Sequence, residues 1–273
     1  MSKVLIITKN TSTYSHRQLL GAAKDLGHSL EVLTTSNFAL EDGHKEYDLI
    51  LHRDSGVSFD DVDLLLLKSL TPFSDKQVNS HKVIESLRGK DKQALFFQEH
   101  KLPLIPTSLF RGADQGVKSF PKSEEFVLKT IRGNQGLGVM LIRGRDSLAS
   151  ILESHEALRD ERYILQPKID LKKEYRVLCL DQEIWGAIQK DFESGFRANA
   201  KRCQPKVVET LPEEVTKLSQ AILKLLPGQF LGLDIAMTEN GPLIIEINTT
   251  PGFEVFDELH EINSATRLLQ ELL

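Results

Sequence analysis

Apolar positions along the chain switch between short continuous or alternating runs and stripes of helical spacing, which predicts an alternation of strands and helices. A wholly apolar run at residues 4–7 reads as a buried strand. Helical spacing follows over 15–26 and stops at Gly27, a residue suited to a left-handed C-terminal cap. Further strands at 30–33 and 49–51 complete a β-α-β opening, which predicts a small parallel sheet. Helical stretches come next at 62–70 and 80–87, with Pro72 and Gly89 as breaks, and at 91–100. Pro103 and Pro106 then impose an extended stretch. From Phe126 onward the texture is β-rich, with helices near 146–157 and 212–226 and a short amphipathic helix at 265–273. Boundaries near residues 90 and 165 divide the chain into units 1–90, 91–165 and 166–273.

The densest chemistry lies in residues 230–248, FLGLDIAMTENGPLIIEIN, two apolar strands joined by a turn. Alternation sets Leu243, Ile245 and Ile247 on one face and Ile244, Glu246 and Asn248 on the other. A carboxylate and an amide on one strand face are oxygen donors for a hard cation. Whether Asp234 joins them depends on register. A two-residue Asn240-Gly241 turn would put Asp234 and Glu246 on opposite faces. A five-residue loop over 238–242 would set them directly opposite on one face, and Pro242, which cannot donate to a ladder, favours the loop. Three converging oxygen ligands argue for Mg²⁺ over a simply wet strand face.

Residues 126–142, FVLKTIRGNQGLGVMLI, form a second segment, a strand leading into a glycine-rich loop and a strand leaving it. Glycines at 133, 136 and 138 let backbone N–H groups approach an anion. The exit is a strand, so neither a Walker loop nor a Rossmann turn fits, and a flap over a nucleotide fits better. Lys129, at the end of the first strand, is placed to reach a phosphate. Glu174-Tyr175-Arg176 opens the strand 177–180, and Asp181-Gln182 reads as a hairpin turn into 184–188. Lys190, Arg197, Lys201 and Arg202 concentrate positive charge beyond it, which suits anionic substrates, although a basic surface loop has the same composition.

Composition sets the outer limits. The chain has 273 residues, 40% hydrophobic and 27% charged, a profile ordinary for a globular protein with ample core. A net charge of −5 argues against a nucleic-acid binder. Two cysteines support neither a disulfide framework nor a cysteine zinc site. The opening MSKVLIITK is too briefly apolar for a signal peptide, and no stretch approaches a membrane span. The expectation is a cytoplasmic protein without membrane or direct nucleic-acid partners.

Taken together, these segments resemble the ATP-grasp superfamily of carboxylate–amine ligases, and within it the RimK-like glutamate ligases. The resemblance runs along most of the chain. It rests on Tyr14-Ser15 with a helix to Gly27-His28, and on Gly89-Lys90-Asp91-Lys92 followed by a helix and Leu102-Pro103. It continues through the loop from Gly133 to Gly138, Phe196-Arg197-x-Asn199, and Glu246-x-Asn248 followed by Pro251-Gly252. It implies an α/β (α+β) ATP-grasp fold, with a small parallel N-terminal domain and two α+β subdomains clasping ATP. By that likeness Lys92 and Lys129 contact the ATP phosphates, under a flap holding Gly133, Gln135, Gly136 and Gly138. Gln166, Pro167, Lys168 and Ile169 form the adenine hinge, Glu174 takes the ribose hydroxyls, and Asn199 supports ATP binding. Arg176, Arg197 and Arg202 stabilise the transferring phosphoryl group. Asp234, Glu246 and Asn248 hold two Mg²⁺ or Mn²⁺ ions, with Glu246 bridging them. The implied reaction joins glutamate or a similar amino acid to a peptide or protein C-terminus, a ribosomal protein tail by analogy. A small-metabolite ligase and a catalytically silent nucleotide-binding module are the other readings. Relatives suggest a homo-oligomer. The chain departs from the family at Cys203-Gln204, where Gly-Gly usually follows Arg202, and in the hinge, where Gln-Glu-aromatic is usual.

Overall fold

The computed structural model describes all residues except 40–45, 55–60, 75, 113–114, 117, 119–124, 132–137, 155–161, 170 and 192–203. Three sheets succeed one another along the chain. The first is parallel, built from β1 (Lys3–Thr8), β2 (Ser29–Thr34), β3 (Leu49–His52) and β4 (Gln77–Val78) in the order β2-β1-β3-β4. Helix α1 (Tyr14–Asp25) starts at Thr13, whose hydroxyl accepts from the His16 N–H, and ends before Gly27 at φ +73°. Helices α2 (Val62–Ser69) and α3 (His81–Leu87) cover the other face.

Both faces of this sheet are apolar, which is why β1 reads as a continuous hydrophobic run. Leu5 and Ile7 pack with Leu67, Leu70 and Ile84, whereas Val4 and Ile6 pack with Leu19, Ala22 and Ala23 of α1. That second core does not stop at the sheet. It continues through Phe253, Phe256, Leu268 and Leu269 to Leu178, Leu180 and Phe230 of the third sheet. The first and third sheets therefore share one hydrophobic core.

Helix α4 (Lys90–Glu99) leads to the second sheet, which comprises β5 (Ser108–Arg111), β6 (Glu125–Thr130), β7 (Val139–Arg143) and β8 (Arg162–Pro167) in the antiparallel order β5-β8-β6-β7. Its core is its own: Leu148 and Leu152 of α5 (Arg145–Ser154) pack on Phe126, Leu128, Ile142 and Tyr163.

The third sheet holds β9 (Lys173–Leu180), β10 (Glu183–Asp191), β11 (Lys206–Val207), β12 (Phe230–Thr238) and β13 (Gly241–Asn248), ordered β11-β10-β9-β12-β13 and antiparallel. Helix α6 (Glu213–Leu225) covers its back, where Val215, Leu218 and Ile222 meet Tyr175, Val177, Leu231, Leu233 and Ile235. Helices α7 (Glu254–His260) and α8 (Ser264–Leu272) close the chain.

The turn between β12 and β13 corrects the expected five-residue loop. Only Glu239 and Asn240 turn, and Pro242 lies inside β13 opposite Met237. Because β13 is the edge strand, its proline is tolerated there. Such a tight turn alone would set Asp234 opposite Ile245. A β-bulge at Ile245 shifts the register by one residue and restores Asp234 opposite Glu246. The same bulge resets the alternation, so that Ile244 and Ile247 both enter the core beneath α6.

Candidate functional site

The front face of the third sheet carries a row of charge. Arg176, Asp234 and Glu246 are successive cross-strand partners on β9, β12 and β13, and cross-strand partners share a face. Arg176 grips Asp234 with two bonds, Nε to Oδ1 at 2.7 Å and Nη2 to Oδ2 at 2.6 Å. Next to this pair stands Glu174, 3% exposed, with Lys190 Nζ 3.5 Å from its Oε1. The predicted metal ligand Asp234 is thus held by an arginine among the described residues, and Glu246 stands beside that pair.

Electrostatics follow from burial. Burial pushes the Glu246 carboxyl above its usual range and the Asp234 charge adds to that, against Lys90, Arg176 and Lys129. Glu174 is raised for the same reasons, burial first and Asp234 second. On β6, the half-buried Lys129 ammonium is brought down to about 8 by desolvation and by Lys90, while Glu246 and Glu174 pull the other way. Two acids repelling each other beside two desolvated lysines form a set that a divalent cation and a polyphosphate would together neutralise. Among the described residues no group of three His, Cys, Asp or Glu side chains is clustered to hold a metal. The available set is two carboxylates and the Asn248 amide, all hard oxygen donors suited to Mg²⁺ or Mn²⁺.

Gln166, in the predicted hinge, carries an unsatisfied acceptor. Thr107 Oγ1 donates its single hydrogen to Ile105 O at 2.7 Å, so it must accept from Gln166 Nε2 at 2.8 Å. That fixes the amide and leaves Gln166 Oε1 buried without a partner among the described residues. It lines a narrow gap with Lys129, Ile244 and Glu246, where an exocyclic amine would satisfy it. Lys168 is tied to β6 by its N–H to Glu125 O and its Nζ to Glu125 Oε2. Pro167 ends β8 opposite Phe126, and Ile169 follows in irregular backbone.

Gly138, φ +75°, ends the predicted flap. A Cβ there would lie 2.1 Å from Thr130 Oγ1, and its carbonyl accepts the Thr130 N–H, so only glycine fits. Gly133, Gln135, Gly136, Arg197, Asn199 and Arg202 lie outside the described residues.

Lys92 is exposed and its Nζ donates to Glu85 O at 2.9 Å, while Lys90 is the lysine of α4 that shares the field of Glu246. Sequence reasoning gave Lys90 no role, although it stood in the quoted Gly-Lys-Asp-Lys motif. It also missed Gln93. This buried amide donates to Leu87 O and Ile247 O and accepts the Ile247 N–H at 2.9 Å, closing the outer edge of β13 between Glu246 and Asn248. Nothing in the local sequence distinguishes that glutamine from a solvated one.

Glu246 and Lys90 also line a second cavity of about 460 Å³. Its far wall comes from the first sheet and α2, with Asp54, Leu65 and Lys68.

A model of the RimK-like ATP-grasp domain matches residues 88–272. The chain belongs to this family. As a RimK-like ATP-grasp protein it is a carboxylate–amine ligase. A probable alpha-L-glutamate ligase of Legionella pneumophila is 22% identical over 286 residues, spanning 98% of this chain and 94% of the relative. The crystal structure of a RimK-domain ATP-grasp protein from Sphaerobacter thermophilus superposes with a TM-score of 0.76 at 15% identity, covering 98% of each chain. The ATP-grasp ligase PsnB, complexed with a minimal precursor, Mg and ADP, reaches 0.73 at 15% identity over 98% of this chain and 96% of its own. These likenesses show the fold, with its parallel N-terminal sheet and two antiparallel sheets. No helix among the described residues is long and apolar enough to cross a membrane.

Proposed function

We propose that this RimK-like ligase adds glutamate, through an acyl phosphate, to the C-terminal carboxylate of a peptide or protein. The observation that carries the reading is the charged row of Glu174, Arg176, Asp234 and Glu246 facing Lys129 and Lys90. The Legionella relative's name supports glutamate as the amino acid, and a complex of PsnB with a precursor peptide supports a peptide in a fold of this kind.

Lys129 and Lys90 neutralise phosphate charge, Gln166 and the backbone of 166–169 receive adenine, and Glu174 takes the ribose. Arg176, with Arg197 and Arg202 by family likeness, stabilises charge on the phosphoryl group as a substrate carboxylate takes it from ATP. An amine then forms the C–N bond and phosphate leaves. Asp234, Glu246 and Asn248 would hold Mg²⁺ or Mn²⁺, which supplies charge neutralisation at the phosphoryl oxygens. No nucleophilic side chain is needed, and Cys179, buried in the core, has its thiol pushed up by burial and takes no part. ATP as co-substrate suits a cytoplasmic enzyme.

Mass spectrometry of an acidic-tailed peptide after incubation with Mg-ATP and glutamate tests this reading. A ladder of glutamate additions is the expected result. ADP release only with free metabolite amines would move the enzyme to small-molecule synthesis, and no ADP with either would overturn the assignment.

A further inference from the structure

The 460 Å³ cavity has a size suited to a small ligand. One wall is the end of β13, where Glu246 and Asn248 stand. The opposite wall is formed by α2, with Leu65 and Lys68, and by Asp54 just past the carboxyl end of β3, beside the reversal of strand order between β1 and β3. Ligands of open parallel sheets bind at such a switch point. The group presented there is Asp54, only 3% exposed, in the residues directly after β3. Its Oδ2 accepts from Thr35 Oγ1 at 2.6 Å, a bond thrown from the end of β2 across the end of β1. No other partner for this carboxylate is found among the described residues.

The acids of α2 near this wall are engaged elsewhere. Asp63 bonds His52 Nε2 at 2.7 Å and takes both arms of Arg88, which also reaches Asp61. His52, Asp63 and Lys9 are the charged or titratable neighbours that act on Asp54. A buried acid with one oxygen fixed, standing in the wall of a cavity, is suited to a cation. The reaction proposed above supplies one, because the incoming amino acid arrives as an ammonium. Lys68, exposed on the cavity rim, suits the carboxylates of the same amino acid.

We propose that Asp54 is a catalytic residue that binds the ammonium of the incoming amino acid in this cavity and takes its first proton. The inference rests on the ligase reading. The amine freed by that transfer attacks the acyl-phosphate carbonyl carbon, forming the C–N bond. The C–O bond to phosphate breaks, and the second nitrogen proton leaves with the phosphate as hydrogen phosphate. Asp54 then loses its proton to water.

Hydroxylamine separates this step from activation. It is largely unprotonated at neutral pH and captures an acyl phosphate as hydroxamate without a base. With the acidic-tailed peptide and Mg-ATP, Asp54→Asn should keep hydroxamate formation near the wild-type rate. Its amide formation with glutamate should fall on the order of 100-fold. Asparagine still accepts from Thr35, and an unchanged thermal midpoint checks the fold. Thr35→Val, which keeps the carboxylate but frees Oδ2, should lower amide formation several-fold with hydroxamate unaffected. Wild-type amide rates in Asp54→Asn would overturn the assignment, as would equal loss of amide and hydroxamate. A wild type inert toward both nucleophiles would overturn the ligase reading, and this one with it.

Discussion

The antiparallel sheet of β9, β12 and β13 and the parallel sheet of β1 to β4 each bring an acid to the same cavity, by different physical means. Glu246 is delivered by strand alternation and a bulge, into the field of Asp234 and three cations. Asp54 is delivered by the end of a strand and fixed by one hydroxyl. An acid set among like charges on a strand face is unfavourable alone and becomes favourable only with a cation of high charge. An acid at a strand end with one oxygen tied to a hydroxyl keeps the other for a substrate.

The sharpest break in this comparison is Glu246→Gln. ADP formation should fall on the order of 10³-fold, because charge stabilisation at the phosphoryl group is lost. The thermal midpoint should not fall, since burial and Asp234 both disfavour the Glu246 charge. Normal turnover in this variant would remove the metal assignment. Asp234→Asn should do the opposite to stability. Arg176 would lose the carboxylate that holds it, at about 3 kcal/mol in a urea titration. Equal midpoints for the two variants would erase the distinction between the paired and the repelled acid.

The Asp234–Glu246 opposition was legible in the sequence for a reason that proved incomplete. Pro242 argued for a long loop, yet the register comes from the bulge at Ile245, which no residue type announces in the run Leu243-Ile244-Ile245. The parallel opening was legible because β1 is apolar on both faces and Gly27 stops α1. Lys90 and Lys92 could not be ranked from spacing, since both flank Asp91 at the start of α4. Only the packing of that helix shows which one turns toward Glu246. Asp54 lay in a stretch, HRDSGVSFDDVD, with four acids and no periodicity to choose among them.

Gln93→Leu tests whether the edge of β13 needs its clamp. Leucine matches the size but leaves the Ile247 N–H and C=O unpaired in the interior, which costs about 2 kcal/mol. Because Ile247 lies between Glu246 and Asn248, the Mg²⁺ concentration for half-maximal ADP formation should rise several-fold. An unchanged Mg²⁺ dependence would show that β13 holds its shape without α4.

The smallest effect, and the one that joins both regions, belongs to Lys129. Its folded-state pKa lies near 8 against an ordinary 10.5, so the unfolded chain binds more protons between those values. Wild-type stability from this group therefore rises as pH climbs from about 8 to about 10.5 and is lost as pH falls through 8. Lys129→Met removes the half-buried ammonium. The variant should be more stable than wild type below pH 8, by about 1 kcal/mol once solvent screening is allowed for, with the gap closing by pH 10.5. A phosphate beside Lys129 would restore its charge, so nucleotide binding above pH 8 should take up a proton. Calorimetry in two buffers of different ionisation enthalpy reads that uptake directly. It should disappear in Lys129→Met while Asp54→Asn retains it, since Asp54 stands on the far wall of the cavity. Uptake that persists in Lys129→Met would move the phosphate contact to Lys90, the other desolvated lysine facing Glu246.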